Sequence, residues 1–231
     1  MFDISPAEWT AILLSLRVAV IATLVATPFG IALAWLLARR EFWGKSVVDA
    51  LVHLPLVLPP VVTGYLLLLS FGRRGLIGAW LADNLGIVFA FRWTGAALAC
   101  GVMSFPLLVR PIRLSIEAID RRLEQASSTL GAAPWQVFAT VTLPLALPGV
   151  LAGMVLGFAK AIGEFGATIT FVSNIPGETQ TISSAIYSLI QTPDGDTAAM
   201  RLVVVSTVIA MGALIASEWF ARRATKRLHG N

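Results

Sequence analysis

The sequence is dominated by long apolar runs separated by short polar stretches. Four runs lie near residues 10–38, 50–71, 91–109 and 202–220, and a fifth, richer in glycine, lies near 149–171. A helix needs about 20 apolar residues to cross the hydrocarbon core of a bilayer, and the first run is long enough to require a tilt. Charged residues make up only 13% of the chain, against about a quarter in soluble domains. We therefore predict an all-α integral membrane protein, one domain over residues 1–231, with about five transmembrane helices.

The basic residues predict the orientation of these helices. Lys and Arg are retained preferentially on the cytosolic side of a membrane. Of the 17 basic residues, 11 follow the first, third and last runs: Arg39, Arg40, Lys45, Arg110, Arg113, Arg121, Arg122, Arg222, Arg223, Lys226 and Arg227. The segment 172–199 contains acidic residues but no Lys or Arg. The N-terminus is therefore predicted outside and the C-terminus in the cytosol, with Arg73 and Arg74 as exceptions. This distribution explains the net charge of +4 without nucleic acid as a partner.

Two further segments are too short or too polar to cross a membrane. Residues 75–90 contain Asp83 and Asn84 at their centre, which predicts an external helix or a re-entrant piece. Residues 179–191 predict an amphipathic helix on the outer face. The single cysteine and two histidines exclude a disulfide framework and make a metal site improbable on composition alone.

A polar segment interrupts the apolar chain at about 111–146, on the predicted cytosolic side. Ile119, Leu123, Ala126 and Leu130 recur at helical spacing and form one apolar stripe. Gly131 follows where a helix C-cap is expected, and Pro134 stands where a new helix accepts a residue without an N–H. The pattern predicts a helix–turn–helix whose second helix ends at Pro144. An ordinary cytosolic loop is the alternative.

The spacing within this segment resembles the EAA loop of ABC importer permeases. Gln125-Ala126-Ser127 is followed by three residues, Gly131, nine residues, and then Val141-Thr142-Leu143-Pro144. The family pattern is Glu-Ala-Ala, three residues, Gly, nine residues, Ile-x-Leu-Pro. Here Gln125 replaces the acid, although Glu124 stands beside it, and Ser127 replaces the second Ala. The resemblance implies a coupling helix that inserts into an ATPase subunit, with these coupling residues: Glu124, Gln125, Ala126, Ser127, Gly131, Leu143 and Pro144.

Four other motifs extend the resemblance over nearly the whole chain. They are "HLPLVLPPVVTGYLLL" (53–68), "FGRRGLIG" (71–78), "MSFPLLVRPIRL" (103–114) and "GEFGATITFVSNIPGETQTI" (163–182). In this order they resemble the permease subunit of molybdate importers, with the type I ABC importer fold. The resemblance implies a multi-pass homodimer in the cytoplasmic (inner) membrane of a bacterium or archaeon. It also implies two ATPase subunits, an external (periplasmic) molybdate-binding protein, and transport by alternating access.

The chain itself is not expected to hydrolyse ATP or to bind a cofactor. Gly44-Lys45-Ser46 resembles the end of a phosphate-binding loop, but Arg39 stands where that motif requires its first Gly. ATP and Mg are therefore expected on the partner ATPase, and this chain is a transport permease rather than an enzyme.

Lys160 and Glu164 are charged residues within the predicted fourth span. An ionisable group at membrane depth requires a partner or a water-filled cavity. Two interpretations remain open: a self-neutralising pair, or residues of the translocation path or its gate. The same path is predicted to include the glycines and hydroxyl side chains that follow and the prolines that break the second span: Gly163, Gly166, Thr168, Thr170, Pro59 and Pro60.

Two other substrate or mechanism classes remain as alternatives. Tungstate or sulfate/thiosulfate import would use the same fold. An ion-coupled secondary transporter would show inverted repeats with matching broken helices, and the sequence shows no such internal repeat. A membrane enzyme would need a nucleophile–base pair or metal ligands, and Lys160 with Glu164 provides neither.

Overall fold

The computed structural model describes residues 4–229, with side chains up to residue 216. Within this range the chain forms α-helices and no strand. The helices are α1 (Pro6–Arg39), α2 (Lys45–Val57), α3 (Pro60–Phe71), α4 (Leu76–Leu85), α5 (Trp93–Glu117), α6 (Arg121–Thr129), α7 (Pro134–Val137), α8 (Leu143–Ile162), α9 (Gly166–Val172), α10 (Ile182–Leu189) and α11 (Asp196–His229). A π-helical turn, Phe138–Thr142, joins α7 to α8.

Four helices are long and apolar enough to cross a membrane: Pro6–Arg39, Trp93–Glu117, Pro134–Ile162 and Asp196–Ala216. A fifth crossing is possible if α2 and α3, which meet at an angle of 115°, form one broken span. The prediction of an all-α membrane protein with about five spans is confirmed. The predicted second span, 50–71, is not one helix but a sharply bent pair.

Helix α5, which contains most of the predicted third span, continues beyond residue 109 to Glu117. The helix boundary predicted at Pro144 was wrong. The helix expected to end at Pro144 runs on as one 29-residue element from Pro134 to Ile162. The π-helical turn explains this continuity: the N–H of Leu143 donates to the carbonyl of Phe138, five residues back. A wider turn gives room for a proline ring, which an ordinary helix interior does not.

The predicted fourth span, 149–171, is also divided. The helix ends at Ile162, and α9 begins only at Gly166. This break lies beside the break between α2 and α3. A Cβ built on Gly166 would stand 2.7 Å from the Cβ of Pro60, and one on Gly64 would stand 2.5 Å from the carbonyl oxygen of Ala167. Two broken helices therefore meet at their breaks.

Helices α1, α5 and α8 pack against one another at the centre of the molecule. Small residues allow their backbones to approach closely. A Cβ on Gly153 would stand 2.5 Å from the carbonyl oxygen of Leu108, and Ala19, Ala96 and Ala99 are fully buried. Close backbone approach through small residues is typical of helix packing in membranes. Helices α2, α9 and α11 also pack against this group of three helices.

The two short segments form helices that cannot span. Helix α4 has 10 residues and is about 15 Å long at 1.5 Å per residue, so residues 75–90 are not a sixth span. Helix α10 begins after Thr181 and packs on α1 and α11. The N–H of Ile182 donates to Ser15 Oγ at 2.7 Å, which places α10 beside the N-terminal half of α1. The loop containing α6 lies at the opposite end of α1, against Arg39.

Candidate coupling surface and translocation path

Helix α6 has a defined beginning and end. The side chain of Asp120 accepts a hydrogen bond from the N–H of Arg122 at 2.9 Å, which caps the first turn. Gly131 follows the last turn with φ of 89°. The N–H of Gly131 donates to Ser128, and the N–H of Ala132 donates to Ser127, which is the pairing of a Schellman cap. The left-handed conformation expected at Gly131 is therefore present.

The second arm of the loop is continuous with a spanning helix. Pro134 occupies the first position of α7, where its missing N–H leaves no intrahelical bond unmade. The side chain of Gln136 accepts the N–H of Ala133 at 2.8 Å. From there the chain passes through the π-helical turn directly into α8. A displacement of this arm is thus applied to the end of a 29-residue helix.

The loop exposes large apolar side chains. Leu130 is 89% exposed and Trp135 is 70% exposed, and half of Leu123 is exposed as well. Of the predicted apolar stripe, Ile119 is buried in the protein, whereas Leu123 and Leu130 face outward. Exposed apolar groups that cluster among polar residues are typical of protein–protein interfaces. The arrangement is suited to docking a partner.

The predicted coupling residues divide into outward-facing and inward-facing groups. Gln125, Ala126 and Pro144 are exposed, and Ser127 is half-buried. Leu143 packs against the core formed by α1, α5 and α8. These positions lie together at one end of the molecule, on α6 and at the start of α8.

Glu124 is partly buried, beside α1 and the π-helical turn. Nε of Arg39 is 3.1 Å from Oε2 of Glu124, and the hydroxyl of Thr142 donates to Oε1 at 2.6 Å. The side chains of Arg39 and Glu124 are only 8% and 18% exposed. Sequence reasoning missed the roles of Arg39 and Thr142, because Arg39 served only as an orientation marker. The position of Thr142 within the Val-Thr-Leu-Pro motif was the one sequence feature that could have indicated its contact with Glu124.

Basic side chains lie near Glu41, in the loop between α1 and α2. The loop between α1 and α2 places Glu41 near Lys45, whose Nζ donates to its carboxylate at 2.7 Å. This hydrogen bond and the charge of Lys45 hold the pKa of Glu41 below its usual value, and Arg121 and Arg113 add smaller effects in the same direction. Arg40 lies over the ring of Trp35 at 5.8 Å, a position that favours a cation.

The ion pair between Lys160 and Glu164 bridges the break between α8 and α9. Nζ of Lys160 is 2.6 Å from Oε2 of Glu164, and the N–H of Ala167 donates to Oε1 at 3.0 Å. Lys160 is in the last turn of α8 and Glu164 lies beyond its end, so the two residues are not on one continuous helix. The Glu164 side chain is 1% exposed, whereas that of Lys160 is 29% exposed. The cation is the accessible member of the pair.

The other predicted path residues surround the same two breaks. Gly163 lies in the break after α8, and Pro59 and Pro60 form the break before α3. Thr168 and Thr170 donate their hydroxyl protons to carbonyls of their own segment, Phe165 and Gly166. The two hydroxyl protons are therefore used within the segment, while the hydroxyl oxygens can still accept hydrogen bonds. The structure thus brings together Lys160, Glu164, Gly166 and Pro60.

About five apolar crossings, a helix–turn–helix continuous with a spanning helix, and two broken helices define the membrane subunit of a type I ABC importer. The chain belongs to the family of binding-protein-dependent transport system inner membrane components, whose model matches residues 26–228.

Named relatives cover nearly the whole chain. It is 61% identical over 220 residues to the molybdenum transport system permease protein ModB of Escherichia coli, covering 95% of this chain and 96% of that protein. It is 57% identical over 221 residues to the ModB of Haemophilus influenzae, covering 96% of both. It is also 40% identical over 201 residues to the sulfate transport system permease protein CysW of Synechococcus elongatus, covering 86% of this chain and 70% of that protein. These relatives are transport permeases rather than enzymes.

Solved structures share the fold at low sequence identity. A chain of a bacterial alginate ABC transporter, in complex with its periplasmic protein, matches with a TM-score of 0.76 and 20% identity, covering 96% of this chain and 81% of that chain. A chain of the MetNI methionine ABC transporter, in inward-facing conformations, matches with a TM-score of 0.67 and 17% identity, covering 96% and 99%. The architecture of an ABC importer permease is therefore shown independently of the sequence motifs.

Proposed function

We propose that this chain forms the transmembrane pathway of a molybdate importer. The observation that supports this most directly is 61% identity to a molybdenum transport permease over 95% of the chain. Sulfate import is the second candidate, because a sulfate permease is 40% identical, and tungstate shares the tetrahedral dianionic form of both.

The proposed partners follow from the surfaces that the chain leaves uncovered. A second copy of this chain completes a homodimer. Two ATPase subunits, which bind ATP and Mg, dock one on each copy at the loop that contains α6 and α7. The contact uses Leu130 and Trp135, the most exposed large apolar side chains of that loop. An external, periplasmic molybdate-binding protein delivers the anion at the end where α10 packs on α1. The assembly lies in the cytoplasmic membrane of a bacterium or archaeon.

In the proposed mechanism the loop converts closure of the ATPases into movement of α8. The 29-residue element Pro134–Ile162 connects the docking surface to the break at Gly163. Movement of its far end displaces Lys160 relative to Glu164 and alters the contact between Gly166 and Pro60. An oxyanion passing this point meets the partly exposed ammonium of Lys160, while the Glu164 carboxylate is buried.

Binding-protein-stimulated ATP hydrolysis tests this proposal. The permease and its cognate ATPase are placed in proteoliposomes, and the binding protein is added with molybdate, tungstate or sulfate. Stimulation by the molybdate-loaded protein, with little response to the sulfate-loaded protein, is expected. Equal or stronger stimulation by sulfate would reassign the substrate. No stimulation by any oxyanion would refute the proposal.

A further inference from the structure

Three structural elements meet at the carboxylate of Glu124. It lies on α6, it is paired with Arg39 in the last turn of α1, and it accepts a hydrogen bond from Thr142 at the end of the π-helical turn. Arg39 also donates to the carbonyl of Ile119, in the segment that leads into α6, at 3.2 Å. One guanidinium and one carboxylate therefore connect α1, α6 and the beginning of α8.

Polar contacts connect α6 to α1 and to the π-helical turn. No residue of α6 is buried, so core packing of its own side chains does not fix its position. Helix α6 also lies near α7 and the π-helical turn, and the short non-helical segments 118–120 and 130–133 join it to the rest of the chain. Without the ion pair to Arg39, α6 would lose its side-chain link to α1.

The pair between Arg39 and Glu124 is largely shielded from solvent, with side chains 8% and 18% exposed. Removal of one member of a shielded ion pair leaves the other charge uncompensated, which costs far more than loss of an exposed pair. The rings of Trp35 and Phe138 pack edge to face with centroids 6.1 Å apart, so α1 and the π-helical turn are also joined by an apolar contact beside it.

We propose that Glu124 is a positioning residue that makes α6, the end of α1 and the start of α8 move as one unit. Motion imposed on α6 then reaches two spanning helices together instead of one. The inference rests on the proposed function, because it assumes that an ATPase moves α6. It assigns Glu124 to transmission inside the permease, and it leaves Gln125, the exposed neighbour, to contact the partner.

Uptake per ATP hydrolysed, measured in proteoliposomes, tests the assignment. Glu124→Gln and Arg39→Gln should each lower this ratio about tenfold, within the range of ordinary coupling energies, while co-purification with the ATPase and its hydrolysis rate persist. The double variant should be no worse than the poorer single variant, because both changes break one connection. Thr142→Val, which removes one donor, should give an intermediate loss.

Glu117→Gln is the matched control. Glu117 pairs with Arg113 at 2.8 Å within α5. In the variant Arg113 keeps its second partner, Asp49 of α2, so uptake per ATP should equal that of the unmodified protein. A loss at Glu117 equal to that at Glu124 would overturn the proposal, as would independent, additive losses in the double variant.

A distance measurement separates failure of this inference from failure of the proposed function. Spin labels at Arg40 and Arg122, both exposed, report the separation of α1 and α6 in the complex with the ATPase. The separation should be the same with and without ATP in the unmodified protein and should change with ATP in Glu124→Gln. A separation that changes with ATP in both proteins, or in neither, would refute the inference whichever substrate is carried. Absence of any complex with an ATPase would instead refute the proposed function.

Discussion

Substitution of Gly131 tests how the docking helix is terminated. Gly131 has φ of 89°, and a Cβ built on it meets no atom within 4 Å. The cost of Gly131→Ala is therefore a backbone cost alone, about 1–2 kcal/mol for a left-handed residue with a Cβ. If the cap must form for the ATPase to dock, this energy weakens docking by roughly 5- to 30-fold, since 1.4 kcal/mol corresponds to a factor of ten.

The dissociation constant of the cognate ATPase for the permease in nanodiscs measures this effect. Gly131→Asn is the matched control, because Asn tolerates the left-handed region better than Ala does, and its binding should lie between the two. Gly131→Leu should resemble Gly131→Ala, since the surrounding space is open. Unchanged binding of Gly131→Ala would refute the role of the cap. A much larger loss for Leu than for Ala would show that crowding, and not backbone conformation, limits this position.

Three other substitutions test the site and the packing around it. Lys160→Met should reduce the yield of folded protein, because it leaves Glu164 buried without its cation at a cost of about 3–5 kcal/mol. The double variant Lys160→Met with Glu164→Gln should restore the yield but not uptake. Restored uptake in the double variant would exclude Lys160 from the path. Gly166→Ala should lower the melting temperature in detergent, because its Cβ would stand 2.7 Å from the Cβ of Pro60 in α3. The control Gly212→Ala lies in open space on α11 and should not lower it. Equal melting temperatures for the two variants would contradict the close approach of Gly166 to Pro60. Trp135→Ala should leave the melting temperature unchanged, because the side chain is 70% exposed, and should abolish co-purification with the ATPase; full retention of the complex would remove Trp135 from the interface.

Local sequence signals predicted the number of crossings and the cap of α6. Both depend on residues that are close along the chain, such as an apolar run of bilayer length or a Gly after an amphipathic helix. The boundaries around Pro144 were not predictable in the same way. Proline usually ends or kinks a helix, and the π-helical turn that accommodates it has no pattern in the sequence.

The surroundings of individual site residues depended on distant partners. Glu124 was predicted to be a coupling residue because it stands beside Gln125. Its direction is set by Arg39, 85 residues away, and by Thr142, 18 residues away. The break after α8 was missed for a similar reason. Glycine is common within transmembrane helices, so Gly163 and Gly166 alone do not predict a break. The close approach of Gly166 to Pro60, which is distant in the sequence, is visible only in the structure.

Uptake of labelled molybdate into proteoliposomes that contain the permease and its ATPase tests whether the chain is an ABC importer permease. The vesicles are supplied with binding protein and either with ATP on the ATPase side or with a proton or sodium gradient. We expect accumulation that requires ATP, the ATPase and the binding protein, and that is unchanged when the gradients are dissipated. Accumulation driven by an ion gradient without the ATPase would contradict the importer assignment and would favour a secondary transporter.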